Sequence, residues 1–154
     1  MLAPDSTMYR IGIDLGGTKI EGVVLDADGK EVFRKRFPTE REHGYQHILK
    51  RLKSMHDDLV AAVPGQPTTF GIGAPFALSV RTGLLKNSNS VCMNGQHVKA
   101  DLEKLIGRKI EIQNDANCFA MAEALLGAGK GKKLVFGIIM GTGCGGGIVY
   151  KGEV

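Results

Sequence analysis

The sequence contains no tryptophan and only three tyrosines and six phenylalanines in 154 residues. So few planar side chains leave little with which to stack bases, and outside Lys130, Lys132 and Lys133 the lysines are dispersed. The formal charge of +4 is then an ordinary solvated surface, or a field that attracts nucleotide phosphates, and no nucleic-acid partner is expected. Cysteine is equally sparse. Cys92, Cys118 and Cys144 are too few and too far apart for a disulfide framework or a paired zinc motif, and reduced thiols in cytoplasm are the simpler expectation. No apolar run approaches the roughly 18–20 residues of a membrane span, so no membrane partner is expected. Met1 to Arg10 lacks the basic start and apolar stretch of a secretory signal. The pattern G-x-x-x-x-G-K-[ST] is also missing, which excludes a P-loop nucleotide site.

What the sequence does have is apolar residues, at 43%, and glycine, at 22 positions. The first is enough for a buried core in one compact domain or one lobe of a larger protein. The glycines cluster after apolar runs and do not spread as a flexible linker. Tyr9 to Leu15 alternates like a strand and runs into Gly16-Gly17-Thr18-Lys19; Ile20 to Leu25 resumes a strand, and Asp28-Gly29 signals a hairpin before a third strand from Glu31 to Phe37. From Glu42 to Val63 the period changes, and Ile48, Leu52, Met55 and Leu59 form one stripe of an amphipathic helix ended by Pro64-Gly65. Further expected elements are a strand at 69–74, a helix at 100–106 capped by Gly107, a strand at 109–113, a helix at 116–126, and strands at 134–140 and 148–150. This order predicts an α/β fold, a mixed sheet with three antiparallel strands followed by alternating helices and strands.

Asp14-Leu15-Gly16-Gly17-Thr18-Lys19 lies between two strands. Adjacent glycines let backbone amides approach an anion, Thr18 offers a hydroxyl, and Asp14 could hold magnesium through water; a plain hairpin is the alternative. Gly141-Thr142-Gly143-Cys144-Gly145-Gly146-Gly147 satisfies G-x-G-x-x-G formally, but Ile148-Val149 follows where a dinucleotide fold needs a helix. Two such loops, each between strands, suggest two grips on one nucleotide's phosphates. Asn114-Asp115-Ala116-Asn117 stands where a strand ends and a helix starts. Asn or Asp there can cap the helix, while a carboxylate at that end of a strand can take a proton from an attacking hydroxyl. The residues alone leave both readings open. His43, His47, His56 and His97 show no metal spacing.

Taken together, these motifs resemble those of the ROK family of sugar kinases, within the actin-like and hexokinase-like (ribonuclease H-like) ATPase superfamily. Ile11 to Lys19 is similar to the family's first phosphate motif, and Gly71-Ile72-Gly73-Ala74-Pro75 to its sugar-side strand. Asn114-Asp115-Ala116-Asn117 is similar to the motif of the catalytic base, and Gly141 to Gly147 to the second phosphate loop. Thr82 to Ser90, with Met93-Asn94-Gly95-Gln96, is most similar to the fructokinase and mannokinase branch. The resemblance implies ATP-dependent phosphorylation of a hexose 6-hydroxyl, with fructose as the expected sugar and N-acetylglucosamine kinase or glucokinase as alternatives. Asp115 would be the base, and Gly73, Ala74, Asn89, Asn114 and Asp115 would contact sugar. Asp14, Gly16, Gly17, Thr18, Lys19, Gly141, Thr142, Gly143, Cys144, Gly145 and Gly146 would hold ATP, with Mg2+ at Asp14 through water. The family usually has glycine where Phe76 stands, so a narrowed sugar pocket is expected, and Val91-Cys92-Met93 also departs from the fructokinase pattern.

Relatives of this kind run to about twice the length. The expected organisation is a sugar-kinase lobe over residues 1–126, then the connector and first hairpin of a second lobe over 127–154. A structural zinc site is expected only in the part beyond, and a homodimer for the full-length parent. The isolated chain is expected to have negligible kinase activity, since lobe closure assembles such sites. A non-catalytic sugar-sensing or sugar-binding member of the family is the rival class. Such regulators carry a DNA-binding domain ahead of the first phosphate motif, where this sequence has only about ten residues.

Overall fold

Alternation of apolar residues decides which face of the first strand is buried. In β1 (Tyr9–Leu15) the side chains of Ile11, Ile13 and Leu15 point into the core while Asp14 stays exposed. The computed structural model describes residues 8–140 and 144–154. Strand β2 (Lys19–Leu25) returns antiparallel to β1 and buries Ile20 and Val24; β3 (Glu31–Pro38) pairs antiparallel with β2. At the turn between β2 and β3, Asp26 Oδ1 accepts from the amides of Asp28 and Lys30 at 3.0 and 2.9 Å, and Gly29 adopts φ 84°.

Helix α1 (Tyr45–Ala61) starts later than the expected Glu42, because Arg41–His43 form a 3-10 turn that ends on Gly44 at φ 85°. Ile48, Leu52, Met55 and Leu59 are fully buried, as their spacing implies. The helix lies so close to β2 that a Cβ on Gly22 would come within 2.7 Å of Leu59 Cδ1 and Met55 Sδ. Strand β4 (Thr68–Ala74) then runs parallel to β1, with Ile13 beside Ile72 and Asp14 beside Gly73. A two-stranded ribbon of β5 (Ala77–Leu78) and β6 (Leu85–Lys86) follows, then α2 (Val98–Ile106) and β7 (Glu111–Asn114). The principal sheet has the order β3-β2-β1-β4-β7 and is mixed, with three antiparallel strands on one side.

On its outer face, Glu21 accepts from Arg34 at 2.5 Å and from Arg36 Nε at 2.8 Å. These two hydrogen bonds, with the arginine charges, hold its carboxyl below the ordinary glutamate range. A depressed folded-state value adds stability above the unfolded value, and that stability is lost as pH falls through the folded one. Glu21→Gln should therefore cost about 0.5–1 kcal/mol at neutral pH, the scale of a partly exposed ion pair, with the difference from wild type vanishing in acid. Urea denaturation at neutral and acid pH reads this; an equal deficit at both would remove the carboxylate charge as its cause.

The chain forms two compact units that part between Ile112 and Gln113. In the second, helix α3 (Asp115–Leu125) packs on a hairpin of β8 (Leu134–Met140) and β9 (Cys144–Tyr150). Gly137 and Gly147 are paired across the hairpin, beneath Ala116 and Ala120. The glycine-rich segment is therefore strand from Cys144 onward, whereas the sequence pattern suggested a loop up to Gly147. Its small residues let a helix backbone approach, and pairing with β8 engages the amides of alternate residues. The helix-averted face of the hairpin is apolar and exposed, with Leu134, Phe136, Ile138, Met140 and Ile148 all more than half exposed. Contacts group α3 with this hairpin.

Candidate active site

In the first unit, the end of β1 carries the glycine turn. Gly16 N donates to Lys19 O at 2.9 Å, and a Cβ on Gly16 would lie 2.8 Å from that same oxygen, so only glycine fits there. Among the described residues, the amides of Gly17 and Thr18 donate to no protein acceptor. Asp14, Thr18 and Lys19 are exposed around this turn. Fully buried Thr39 braces it from behind: its Oγ1 donates to Gly16 O at 2.8 Å and its amide to Thr18 O at 2.9 Å. Two adjacent unbonded amides, a hydroxyl and a carboxylate on one turn are groups that suit an anion with its counter-cation.

Parallel pairing of β1 with β4 sets Gly73 beside Asp14, so β4 ends next to the glycine turn. Ala74, expected to contact sugar, has no exposed surface, and its carbonyl already accepts from Phe76 N at 2.8 Å, so it lines the strand end from within the core. Phe76, expected to narrow a pocket, is 4% exposed and belongs to the hydrophobic core. Its departure from glycine is thus absorbed by packing. Asn89 is exposed on a loop that Asn94 pins, with Ser88 N donating to Asn94 Oδ1 at 2.9 Å and Asn94 Nδ2 donating to Ser88 O at 3.0 Å.

In the second unit, the capping reading of Asn114-Asp115 is the one that hydrogen bonds support. Asn114 is the N-cap of α3, its Oδ1 accepting from Ala116 N at 3.1 Å. Asp115 Oδ1 accepts from the same amide at 2.8 Å, and the carboxylate is half-buried. With Asn114 in the capping role, Asp115 is not required for it. Cys144, Gly145 and Gly146 lie in β9, whereas Gly141, Thr142 and Gly143 lie outside the described residues.

Sequence reasoning missed Thr39 and Asn94 as braces. Thr39 follows Pro38 with no local signal, and its contact to Gly16 spans 23 residues. Asn94 was visible only as part of a branch-specific stretch. No group of three His, Cys, Asp or Glu side chains among the described residues converges to hold a metal. Magnesium commonly takes one or two carboxylates and completes its shell with phosphate oxygens and water, so a single carboxylate at Asp14 is compatible with it. No described helix is long and apolar enough to cross a membrane.

The strand order, with parallel β4 and the glycine turn after β1, defines an actin-like, hexokinase-like ATPase lobe. The chain belongs to the ROK family, whose profile matches residues 10–154. It is 39% identical over 145 residues to an N-acetyl-D-glucosamine kinase of Yersinia pestis bv. Antiqua (strain Nepal516), covering 93% of this chain and 55% of that one. Among solved structures it is similar to the ROK hexokinase of Thermus thermophilus, with a TM-score of 0.82 and 30% identity over 96% of this chain and 48% of that one. It is also similar to a ROK family glucokinase from Streptomyces griseus in complex with glucose and AMPPNP, with a TM-score of 0.80 and 27% identity over 94% of this chain and 45% of that one. The chain spans about half the length of the relatives it matches.

Proposed function

We propose that the full-length protein is an ATP-dependent sugar kinase that phosphorylates the 6-hydroxyl of a hexose, with N-acetylglucosamine as the preferred acceptor. The observation that carries phosphoryl transfer is the turn at Gly16–Thr18, with two unbonded amides beside Asp14 at the carboxyl end of β1. The amino sugar, in place of the fructose expected from the Thr82–Ser90 stretch, is supported by the 39% identity to N-acetylglucosamine kinases across nearly the whole chain.

In this reading Gly16, Gly17, Thr18 and Lys19 hold the phosphates by backbone amides, hydroxyl and charge. Gly141, Thr142, Gly143, Cys144, Gly145 and Gly146 contribute a second set of contacts. Asp14 is the residue that would hold magnesium through water, and the ion would supply positive charge to offset that of the phosphates. Asp115 accepts the proton of the sugar hydroxyl as that oxygen attacks phosphorus. Asn89, Asn114 and the backbone at Gly73 position the ring, with Ala74 buried behind them.

Coupled ADP-release assays on the full-length protein with N-acetylglucosamine, glucose and fructose test this. We expect kcat/KM for N-acetylglucosamine to exceed the others by about ten-fold or more, the discrimination available to a site that hydrogen-bonds one added polar group. A preference for fructose would return the substrate to the sequence expectation, and no ATP consumption with any sugar would overturn the kinase reading.

A further inference from the structure

We propose that Arg41 is an additional phosphate ligand of the Gly16–Thr18 turn, its guanidinium binding the same polyphosphate that the unbonded amides receive. This rests on the phosphate-binding reading of that turn and adds a residue from a different part of the chain.

Three observations carry it. The first is position: a Cβ placed on Gly17 would lie 3.4 Å from Arg41 Nη1, so the guanidinium sits directly against the turn. That position follows from the fold, because the two Thr39 hydrogen bonds to Gly16 and Thr18 oblige the chain to leave β3 at the glycine turn. Glu40 then takes a left-handed conformation, φ 55°, and Arg41 begins the 3-10 turn.

The second is the lack of a competing partner. Arg10, Arg34, Arg36, Arg51 and Arg108 are each held by protein oxygens. Among the described residues, no hydrogen bond or ion pair engages the Arg41 side chain, which is exposed. The two flanking carboxylates lie toward other groups: Glu40 Oε2 is 2.6 Å from His47 Nε2 and Glu40 Oε1 3.6 Å from Arg51, while Glu42 Oε1 is 3.9 Å from His43 Nε2. The hydrogen bond from His47, with the Arg51 charge, keeps the Glu40 carboxyl below its ordinary range and so ionised in that pairing.

The third is chemistry. A planar guanidinium presents parallel N–H donors that match two phosphate oxygens, and such charge-assisted bonds are stronger than neutral ones. Backbone amides alone supply direction with little net charge. A fixed cation beside them supplies the attraction that an anion with several negative charges needs. An ordinary solvated arginine is the alternative, and Arg81, exposed and equally without a bonded partner among the described residues, serves as its internal control.

The test is calorimetric titration of this chain with sodium tripolyphosphate, comparing wild type, Arg41→Ala, Arg41→Lys and Arg81→Ala. Because the Arg41 side chain makes no bond within the described fold, Arg41→Ala should melt like wild type. We expect Arg41→Ala to weaken tripolyphosphate binding by about ten-fold or more, Arg41→Lys to recover part of the loss, and Arg81→Ala to bind as wild type. In a parallel measurement, tripolyphosphate should protect Arg41 but not Arg81 from phenylglyoxal, read peptide by peptide in a mass spectrometer. Equal binding by wild type and Arg41→Ala would overturn the assignment and leave the phosphate reading of the turn intact. Equal losses in Arg41→Ala and Arg81→Ala would overturn it in favour of diffuse attraction. No binding by wild type would overturn both the assignment and the reading on which it rests.

Discussion

Gly147→Val is expected to destabilise the second unit by about 3 kcal/mol, despite the good strand propensity of valine. A Cβ at this position would fall 2.6 Å from Ala116 O and 2.9 Å from both Asn117 Cα and Ala120 Cβ. These are helix backbone and a methyl group with no rotamer to change, so α3 must lift from the hairpin to relieve the clash. A Cβ on the paired position, Gly137, would fall 2.9 Å from Ala120 Cβ and 3.0 Å from its Cα, so no slack exists on the other strand. Gly12→Ala is the comparison: its Cβ would meet Val23 Cγ1 at 3.7 Å, an ordinary contact, and stability should change little. Hydrogen exchange of the α3 amides and urea denaturation measure both variants. Wild-type protection of α3 in Gly147→Val would show that the helix is not seated on this glycine pair.

The second large effect is on turnover. In the full-length protein, Asp115→Asn should lower kcat by about 10²–10⁴, the range over which a positioned general base contributes. The substitution keeps the side chain's shape and its capacity to accept from Ala116 N, and Asn114 already caps the helix, so folding and sugar affinity should hold. ADP release under saturating substrates, with a melting curve as a check on the fold, reads the result. An unchanged kcat would take Asp115 out of the mechanism and leave it as a helix-terminal residue.

Much of the first unit was legible because its signals are local. Alternation at Ile11, Ile13 and Leu15, the Asp28-Gly29 turn and the stripe of Ile48, Leu52, Met55 and Leu59 each need only a few neighbouring residues to be read. The start of α1 was misplaced because the apolar stripe says nothing of the 3-10 turn ahead of it. The second unit was less legible. Its helix contacts the hairpin through alanine and glycine, so the large residues Phe119 and Leu125 are exposed and the usual amphipathic contrast is weak. The same glycines read as phosphate-loop residues, since a glycine is silent about whether a ligand or a helix approaches it.

The chain by itself determined the order of its elements, the glycine turn after β1 and the carboxylate at the start of α3, because backbone preferences and side-chain periodicity act over short distances. Tertiary structure alone decided that Thr39 buttresses the turn, that Arg41 stands beside Gly17, and that Gly147 receives a helix. Each of these depends on segments brought together by strand pairing and burial, whose partners are too distant along the sequence for any local pattern to announce.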